Sequence, residues 1–145
     1  MIFEEKIIIT KSDNQTQNLG FKFSKKITPP AAICLYGNLG SGKTTFTKGF
    51  AKGLGIKERI ISPTFVIVRE HEAKKSLFYH IDLYRIENEK ELKKIGINDL
   101  FLEKKAIVLI EWAENLDNLL PKKRWDIKFE QIEKNKRRIT ITSNF

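Results

Sequence analysis

Residues 37–44 read Gly-Asn-Leu-Gly-Ser-Gly-Lys-Thr, which fills every position of the pattern G-x-x-x-x-G-K-[ST]. The apolar residues 31–36 before this stretch are typical of a buried strand, and residues 45–52 after it are compatible with a helix that ends at Gly53 and Gly55. A glycine-rich turn between a strand and a helix directs its backbone N–H groups inward, next to the positive end of the helix. The stretch therefore predicts a phosphate-binding loop, against the alternative of a turn that only joins two elements.

Two side chains of this loop have defined tasks when the ligand is a nucleoside triphosphate. The Lys43 ammonium reaches the β- and γ-phosphates, and the Thr44 hydroxyl ligates Mg²⁺. We therefore expect the loop to hold the phosphate end of a magnesium-loaded nucleotide.

A carboxylate opposite the loop is the second requirement of such a site, because it holds Mg²⁺ or the waters around the ion. Glu111 directly follows the apolar residues 106–110 and is the better candidate, although a carboxylate at a strand end can also be an ordinary surface group. Asp82 is the second candidate, and it shares a strand face with His80. A salt bridge from Asp82 to Arg85 or to a lysine is an equally open interpretation.

Three further features each have two interpretations. Residues 62–64, Ser-Pro-Thr, form either a switch that senses the γ-phosphate or a turn that starts a strand. His80 fits a packed, hydrogen-bonded strand residue better than a general base. Trp112 is either a stacking surface for a base or part of the core.

The alternation of apolar runs and turn signals predicts a single domain over residues 1–145. We expect an α/β fold, a P-loop NTPase-like three-layer sandwich with a central, mostly parallel sheet plus antiparallel hairpin strands. Ser12 or Asp13 caps the first helix, Asn88 caps the third, and Asn135 lies in the last turn. The predicted strands are residues 6–10, 31–36, 65–70, 77–84, 106–110, 125–131 and 138–142, and the predicted helices are residues 15–26, 45–52, 89–94 and 98–102.

The composition limits the classes of protein to which the chain can belong. Its 145 residues suffice for one domain with a core, and a hydrophobic content of 41% fits a soluble globular protein. No apolar run approaches the ~20 residues of a membrane span, and the first residues lack the pattern of a signal peptide. The single cysteine, Cys34, lies in a predicted core strand and is expected to be a buried small hydrophobe. Without an internal disulfide the expected location is the cytoplasm.

The formal net charge of +9 raises the question of nucleic-acid binding. Basic residues cluster at residues 122–124 and 134–138, whereas the other lysine pairs are scattered along the chain. Scattered lysines are typical of a solvated surface, so the charge leaves direct RNA contact and mere solubility as open interpretations.

Four stretches together carry a resemblance to a known family. Residues 37–45, the Ser-Pro-Thr-Phe of residues 62–65, the His-Ile-Asp-Leu-Tyr-Arg of residues 80–85 and the Ile-Glu-Trp of residues 110–112 occur in the order and at the spacing of the bacterial TsaE (formerly YjeE) ATPases. The chain resembles that family over nearly its whole length. The resemblance implies a cytoplasmic ATPase that works with the partner proteins TsaB and TsaD. That assembly forms N6-threonylcarbamoyladenosine beside the anticodon of tRNA, and the ATPase itself contacts tRNA only indirectly or weakly.

The resemblance also implies roles for individual residues. Thr44 and Glu111 correspond to the Mg²⁺ ligands, and Asp82 to a further nucleotide contact. Asp13 and a basic residue near the C-terminus, for which we choose Lys136, correspond to two more contacts with ATP. The phosphate binders implied by the same correspondence are Gly40, Ser41, Gly42, Lys43, Thr44 and Thr45, and the implied catalytic set is Lys43, Thr44, Asp82 and Glu111.

Three other functions compete with this interpretation. A structural RNA-binding protein with a decayed site is disfavoured because Lys43, Thr44 and Glu111 are all intact. A small P-loop nucleoside or nucleotide kinase is the main alternative, but the chain has few arginines and no arginine-rich lid segment. A guanine-nucleotide switch would carry an N-K-x-D string, whereas residues 135–138 read Asn-Lys-Arg-Arg. No arginine finger or strong general base is evident, so weak hydrolysis is expected in isolation, with Arg85 or a partner protein as the source of the missing group.

Overall fold

The computed structural model of the chain describes residues 3–60 and 68–145. The strands are β1 (Phe3–Thr10), β2 (Ala31–Tyr36), β3 (Val68–Glu72), β4 (Leu77–Asp82), β5 (Ala106–Glu111), β6 (Arg124–Glu133) and β7 (Lys136–Asn144). The helices are α1 (Asp13–Ser24), α2 (Lys43–Gly53), α3 (Glu89–Lys94) and α4 (Ile97–Leu102), and a 3₁₀ helix spans Ala113–Leu119. None of the described helices is long and apolar enough to cross a lipid bilayer.

These strands form one sheet in the order β1-β7-β6-β2-β5-β4-β3. The pairs β6–β2, β2–β5 and β5–β4 in the centre are parallel, and the outer pairs β1–β7, β7–β6 and β4–β3 are antiparallel. The predicted α/β fold with a mostly parallel centre and antiparallel hairpins is confirmed. Because β2, β4 and β5 run in the same direction, their carboxyl ends meet at one edge of the sheet.

The sheet has a hydrophobic core on each face. On one face α1 and α2 pack Phe23, Phe46 and Phe50 against strand residues such as Leu35 and Leu109. On the other face the short helices pack Leu92, Ile97 and Leu116 against Cys34, Ile81 and Ile110 in a second cluster. The three predicted layers follow from this arrangement, since the central strands are buried on both sides.

Cys34 lies in the second cluster and is fully buried. Burial, with a smaller contribution from the charge of Asp126, raises the pKa of its thiol to about 12. The thiol therefore stays protonated at neutral pH, and the expectation of a small buried hydrophobe holds.

Several element boundaries differ from those predicted. Helix α1 begins at Asp13 because Ser12 is its N-cap and accepts a hydrogen bond from the Gln15 amide at 3.1 Å. The predicted strand 65–70 lies partly outside the described residues, and its described part is β3. The last two strands are longer than predicted, because the antiparallel pairing of β6 and β7 continues past their apolar residues to the turn at Asn135, where φ is 66°.

Helices α1 and α2 approach each other closely through glycine. A Cβ atom on Gly49 would lie 1.7 Å from the backbone oxygen of Gln17, a distance that no real contact tolerates. Gly49→Ala must therefore push the helices apart, and we expect a loss of about 3 kcal/mol in the free energy of unfolding, measured by urea denaturation. The matched control is Lys48→Ala at the exposed neighbouring position, which should change that free energy by less than about 0.5 kcal/mol. Equal stability of the two variants would contradict the close packing.

Candidate functional site

The glycine-rich loop lies between β2 and α2, as the sequence predicts. Helix α2 begins at Lys43, and its N-cap, Gly42, has a left-handed backbone with a φ of 108°. This backbone conformation favours glycine, and a Cβ atom on Gly42 would also lie 2.9 Å from Cδ of Arg137. The first N–H groups of α2 have no partners within the helix, so they are available to an anion at the loop.

A cavity of about 290 Å³ opens beside this loop. It lies where α1 begins, where α2 begins, and where the parallel strands β4 and β5 end. The sequence-predicted residues that line it are Asp13, Gly40, Ser41, Gly42, Lys43, Thr44, Thr45, Asp82 and Glu111. The fold thus brings together residues that are far apart in the sequence, such as Asp13 and Glu111.

Lys43 is nearly buried, with 5% of its surface exposed. Its ammonium donates a hydrogen bond to the Gly37 carbonyl and lies 3.6 Å from the centre of the Trp112 ring. Burial lowers the pKa of Lys43, and the nearby carboxylates, of which Glu114 acts most strongly, partly offset this effect. Further negative charge beside the amine would raise its pKa, so a phosphate ligand and a protonated Lys43 stabilise each other.

Thr44 and Glu111 are joined directly. The Thr44 hydroxyl donates to Oε1 of Glu111 at 3.0 Å, and the residue Glu111 is only 2% exposed. Because the hydroxyl proton is directed to the carboxylate, the lone pairs of Thr44 Oγ1 stay available for a cation. The other carboxylate oxygen, Oε2, lies 2.5 Å from Nε2 of the fully buried His80.

Asp82 is the neighbour of Glu111 across the sheet, since the two residues are register partners of β4 and β5. Asp82 is 8% exposed, and its Oδ1 accepts a hydrogen bond from the Tyr84 amide at 2.9 Å. Two buried carboxylates therefore lie side by side at the edge of the sheet that faces the loop. Such a pair is favoured when a cation lies between or beside the two groups.

The basic residue near the C-terminus that lines the cavity is Arg137. It donates from Nη1 to Oδ1 of Asp13 at 2.7 Å, and both residues line the cavity, whereas Lys136 does not. The geometry therefore favours Arg137 over Lys136 as the C-terminal contact, and the role that the sequence assigned to Lys136 stays a prediction. Neighbouring residues of a strand point to opposite faces of a sheet, so of the two only Arg137 is directed to the loop.

The family model described as threonylcarbamoyl adenosine biosynthesis protein TsaE matches residues 10–139 of the chain. The chain belongs to the TsaE family. It is 41% identical over 115 residues to the tRNA threonylcarbamoyladenosine biosynthesis protein TsaE of Bacillus subtilis, which covers 79% of this chain and 71% of that protein. The protein of the same name from Aquifex aeolicus is 35% identical over 140 residues, 94% of this chain and 95% of that one.

A solved structure agrees with this assignment. The crystal structure of Bacillus subtilis YdiB matches with a TM-score of 0.85 at 29% sequence identity, and the match covers 100% of this chain and 89% of the other. The resemblance to the TsaE family that the sequence motifs indicated is thereby confirmed, and so is the fold class.

The cavity of this TsaE family member fits an anionic ligand. Ser41 Oγ and Arg137 Nε are buried there without a hydrogen-bond partner among the described residues. Leaving buried polar atoms unpaired costs free energy, and phosphate oxygens would accept hydrogen bonds from both.

The same residues fit Mg²⁺ only as part of a nucleotide complex. Within residues 3–60 and 68–145 no group of three His, Cys, Asp or Glu side chains could hold a metal ion on its own. Mg²⁺ in nucleotide sites typically takes one or two protein oxygens and completes its octahedron with phosphate and water. Thr44 and Glu111 are suited to that partial coordination.

Sequence reasoning left some of the site unassigned. Trp112 and Tyr84 both line the cavity, with ring centres 5.0 Å apart, so Trp112 is not purely a core residue. Its position directly after Glu111 was the signal that could have placed it here. The Ser-Pro-Thr segment, residues 62–64, lies outside the described residues, so both of its interpretations stay predictions.

Arg137 and Lys136 provide a matched pair of variants in this TsaE family site. We expect Arg137→Ala to weaken ATP binding about 10-fold, because a charge-assisted hydrogen bond contributes about 1.5 kcal/mol. Lys136→Ala removes the same charge one residue away and should change the dissociation constant less than about twofold. Isothermal titration calorimetry of both variants measures the difference, and a larger effect at Lys136 would identify Lys136 as the nucleotide contact instead.

Proposed function

We propose that the chain, acting as a single domain over residues 1–145, binds and hydrolyses MgATP in the formation of N6-threonylcarbamoyladenosine in tRNA. The observation that carries this proposal is the convergence of Lys43, Thr44 and Glu111 on one cavity beside the glycine-rich loop. Membership in the TsaE family supplies the pathway, because the curated relatives are named for tRNA threonylcarbamoyladenosine biosynthesis.

The residues that line the cavity have different roles in nucleotide binding. The loop amides and the Lys43 ammonium hold the β- and γ-phosphates, and Arg137, kept in place by Asp13, adds a second positive group. Thr44 and Glu111 hold the Mg²⁺ of the nucleotide, which neutralises charge on the transferring phosphoryl group. Asp82 orients water or the metal shell from the neighbouring strand.

Hydrolysis by the isolated chain is expected to be slow. The buried histidine of the site, His80, is hydrogen-bonded to Glu111 and is therefore not available as a general base. The ATP cycle accordingly serves an assembly rather than a small-molecule product: we propose that it supports turnover of a cytoplasmic complex with TsaB and TsaD, which acts on tRNA. Direct contact of this chain with tRNA is weak or indirect in this proposal.

A co-elution experiment tests the proposal. The chain is immobilised and exposed to purified TsaB and TsaD with MgATP, with MgADP, or without nucleotide. We expect retention of the partners to depend on the nucleotide, and release of inorganic phosphate without any added acceptor. Phosphorylation of a nucleoside from a test panel, with no nucleotide-dependent retention, would instead support the alternative of a small kinase.

A further inference from the structure

His80 is a buried polar residue to which the proposed phosphate chemistry gives no direct task. It lies in β4, is fully buried, and its Nε2 is 2.5 Å from Oε2 of Glu111. The residue is packed and hydrogen-bonded, as the sequence predicts, but its partner is the carboxylate expected to hold Mg²⁺.

The direction of this hydrogen bond follows from the chemistry of the two groups. An ionised carboxylate only accepts hydrogen bonds, so the proton lies on His80 Nε2. Thr44 donates to the other oxygen of the same carboxylate at 3.0 Å. Both carboxylate oxygens of Glu111 are therefore hydrogen-bonded, one to His80 and the other to Thr44.

The other ring nitrogen argues against a role of His80 in the core alone. His80 Nδ1 is buried and has no hydrogen-bond partner among the described residues. Burying an unpaired polar atom costs free energy that an apolar side chain would avoid. The ring of Phe78 lies nearly parallel to that of His80, with centres 6.3 Å apart, so packing fixes one face of the imidazole. The one polar anchor of the ring among the described residues is Glu111.

We propose that His80 is a positioning residue that holds Glu111 in the orientation in which Glu111 and Thr44 bind Mg²⁺. The inference rests on the proposed MgATP function. His80 would donate a hydrogen bond to a metal-binding carboxylate without contacting the metal itself. Loss of such a hydrogen bond typically changes the metal affinity about 10- to 100-fold.

The test compares His80→Phe, His80→Gln and a control, His71→Gln. His71 is the second histidine of the chain, is also largely buried, and bonds to Glu58, which does not line the cavity. For each variant the thermal stabilisation by ATP is titrated with Mg²⁺, and the affinity for ATP is measured separately in EDTA. We expect His80→Phe to raise the half-saturating Mg²⁺ concentration about 10- to 100-fold and to change the metal-free affinity less than about twofold.

Glutamine retains a donor that can reach the carboxylate, so His80→Gln should recover much of the lost Mg²⁺ affinity, and His71→Gln should match the wild type. An unchanged Mg²⁺ titration for His80→Phe, or an equal shift for His71→Gln, overturns the inference while leaving the proposed function intact. A wild-type chain that MgATP does not stabilise overturns the proposed function and the inference together.

A second measurement needs no variant at the site. The chain has two histidines, so ¹⁵N spectra of the wild type and of His71→Gln assign the His80 ring without ambiguity. We expect a proton on Nε2. A bare Nε2 would overturn the inference, because it could not donate to Glu111.

Discussion

Lys43→Ala should weaken ATP binding by about 100-fold, or about 3 kcal/mol, in isothermal titration calorimetry. The Lys43 ammonium lies at the first residue of α2, beside the loop, and donates to the Gly37 carbonyl. In the proposed site the ammonium also makes charge-assisted hydrogen bonds to two phosphate oxygens. Alanine removes both bonds and the nearest positive charge at once.

Lys48→Ala is the matched control for this loss. Lys48 lies five residues further along α2, is exposed, and does not line the cavity, yet its replacement removes the same charge from the same helix. Its dissociation constant for ATP should stay within about twofold of the wild type. Wild-type affinity in Lys43→Ala, or equal losses in both variants, would refute the phosphate role of Lys43.

Glu111→Gln should reduce Mg²⁺-dependent phosphate release at least about 100-fold and leave most of the nucleotide affinity intact. Glutamine keeps the shape of the side chain but removes the negative charge that holds the metal. Phosphate binding rests on the loop amides and Lys43, which the substitution does not touch. The expected signature is therefore a large loss in the hydrolysis rate with a small change in the dissociation constant.

Glu114→Gln gives the comparison for this variant. Glu114 is exposed, lies three residues after Glu111 and does not line the cavity, although its charge raises the pKa of Lys43. Its hydrolysis rate should stay within about threefold of the wild type. Unchanged phosphate release in Glu111→Gln would show that Glu111 is not a metal ligand.

The sequence alone was sufficient to predict those features of the site that depend on residues adjacent in the chain. The glycine pattern of residues 37–44 lies between an apolar strand and a helix, so both its position and its flanking elements were predictable. Glu111 was found for the same reason, because it ends a fully apolar strand. In both cases the signal and the residue it identifies are contiguous in the chain.

The sequence was insufficient where two distant segments must align. The choice between Lys136 and Arg137 depends on the register of β6 and β7, and that pairing shifts between Gln131 and Glu133. A shift of one residue in the strand pairing moves every side chain of the strand to the opposite face of the sheet. No local sequence pattern indicates such a shift. The bond between His80 and Glu111 likewise depends on the alignment of β4 with β5, whose partners lie about 30 positions apart in the chain.

The position of Lys43 over Trp112 gives the site a built-in optical probe. The chain has two tryptophans, and the other, Trp125, packs edge-on against Phe23 with ring centres 5.2 Å apart, away from the cavity. The charge of a triphosphate bound beside this ammonium would change the electric field at the indole, so we expect the emission of Trp112 to shift on binding. Stopped-flow fluorescence of the unlabelled protein can therefore follow the binding and release of nucleotide in real time. In the variant Trp125→Phe, Trp112 is the single tryptophan that contributes to the emission.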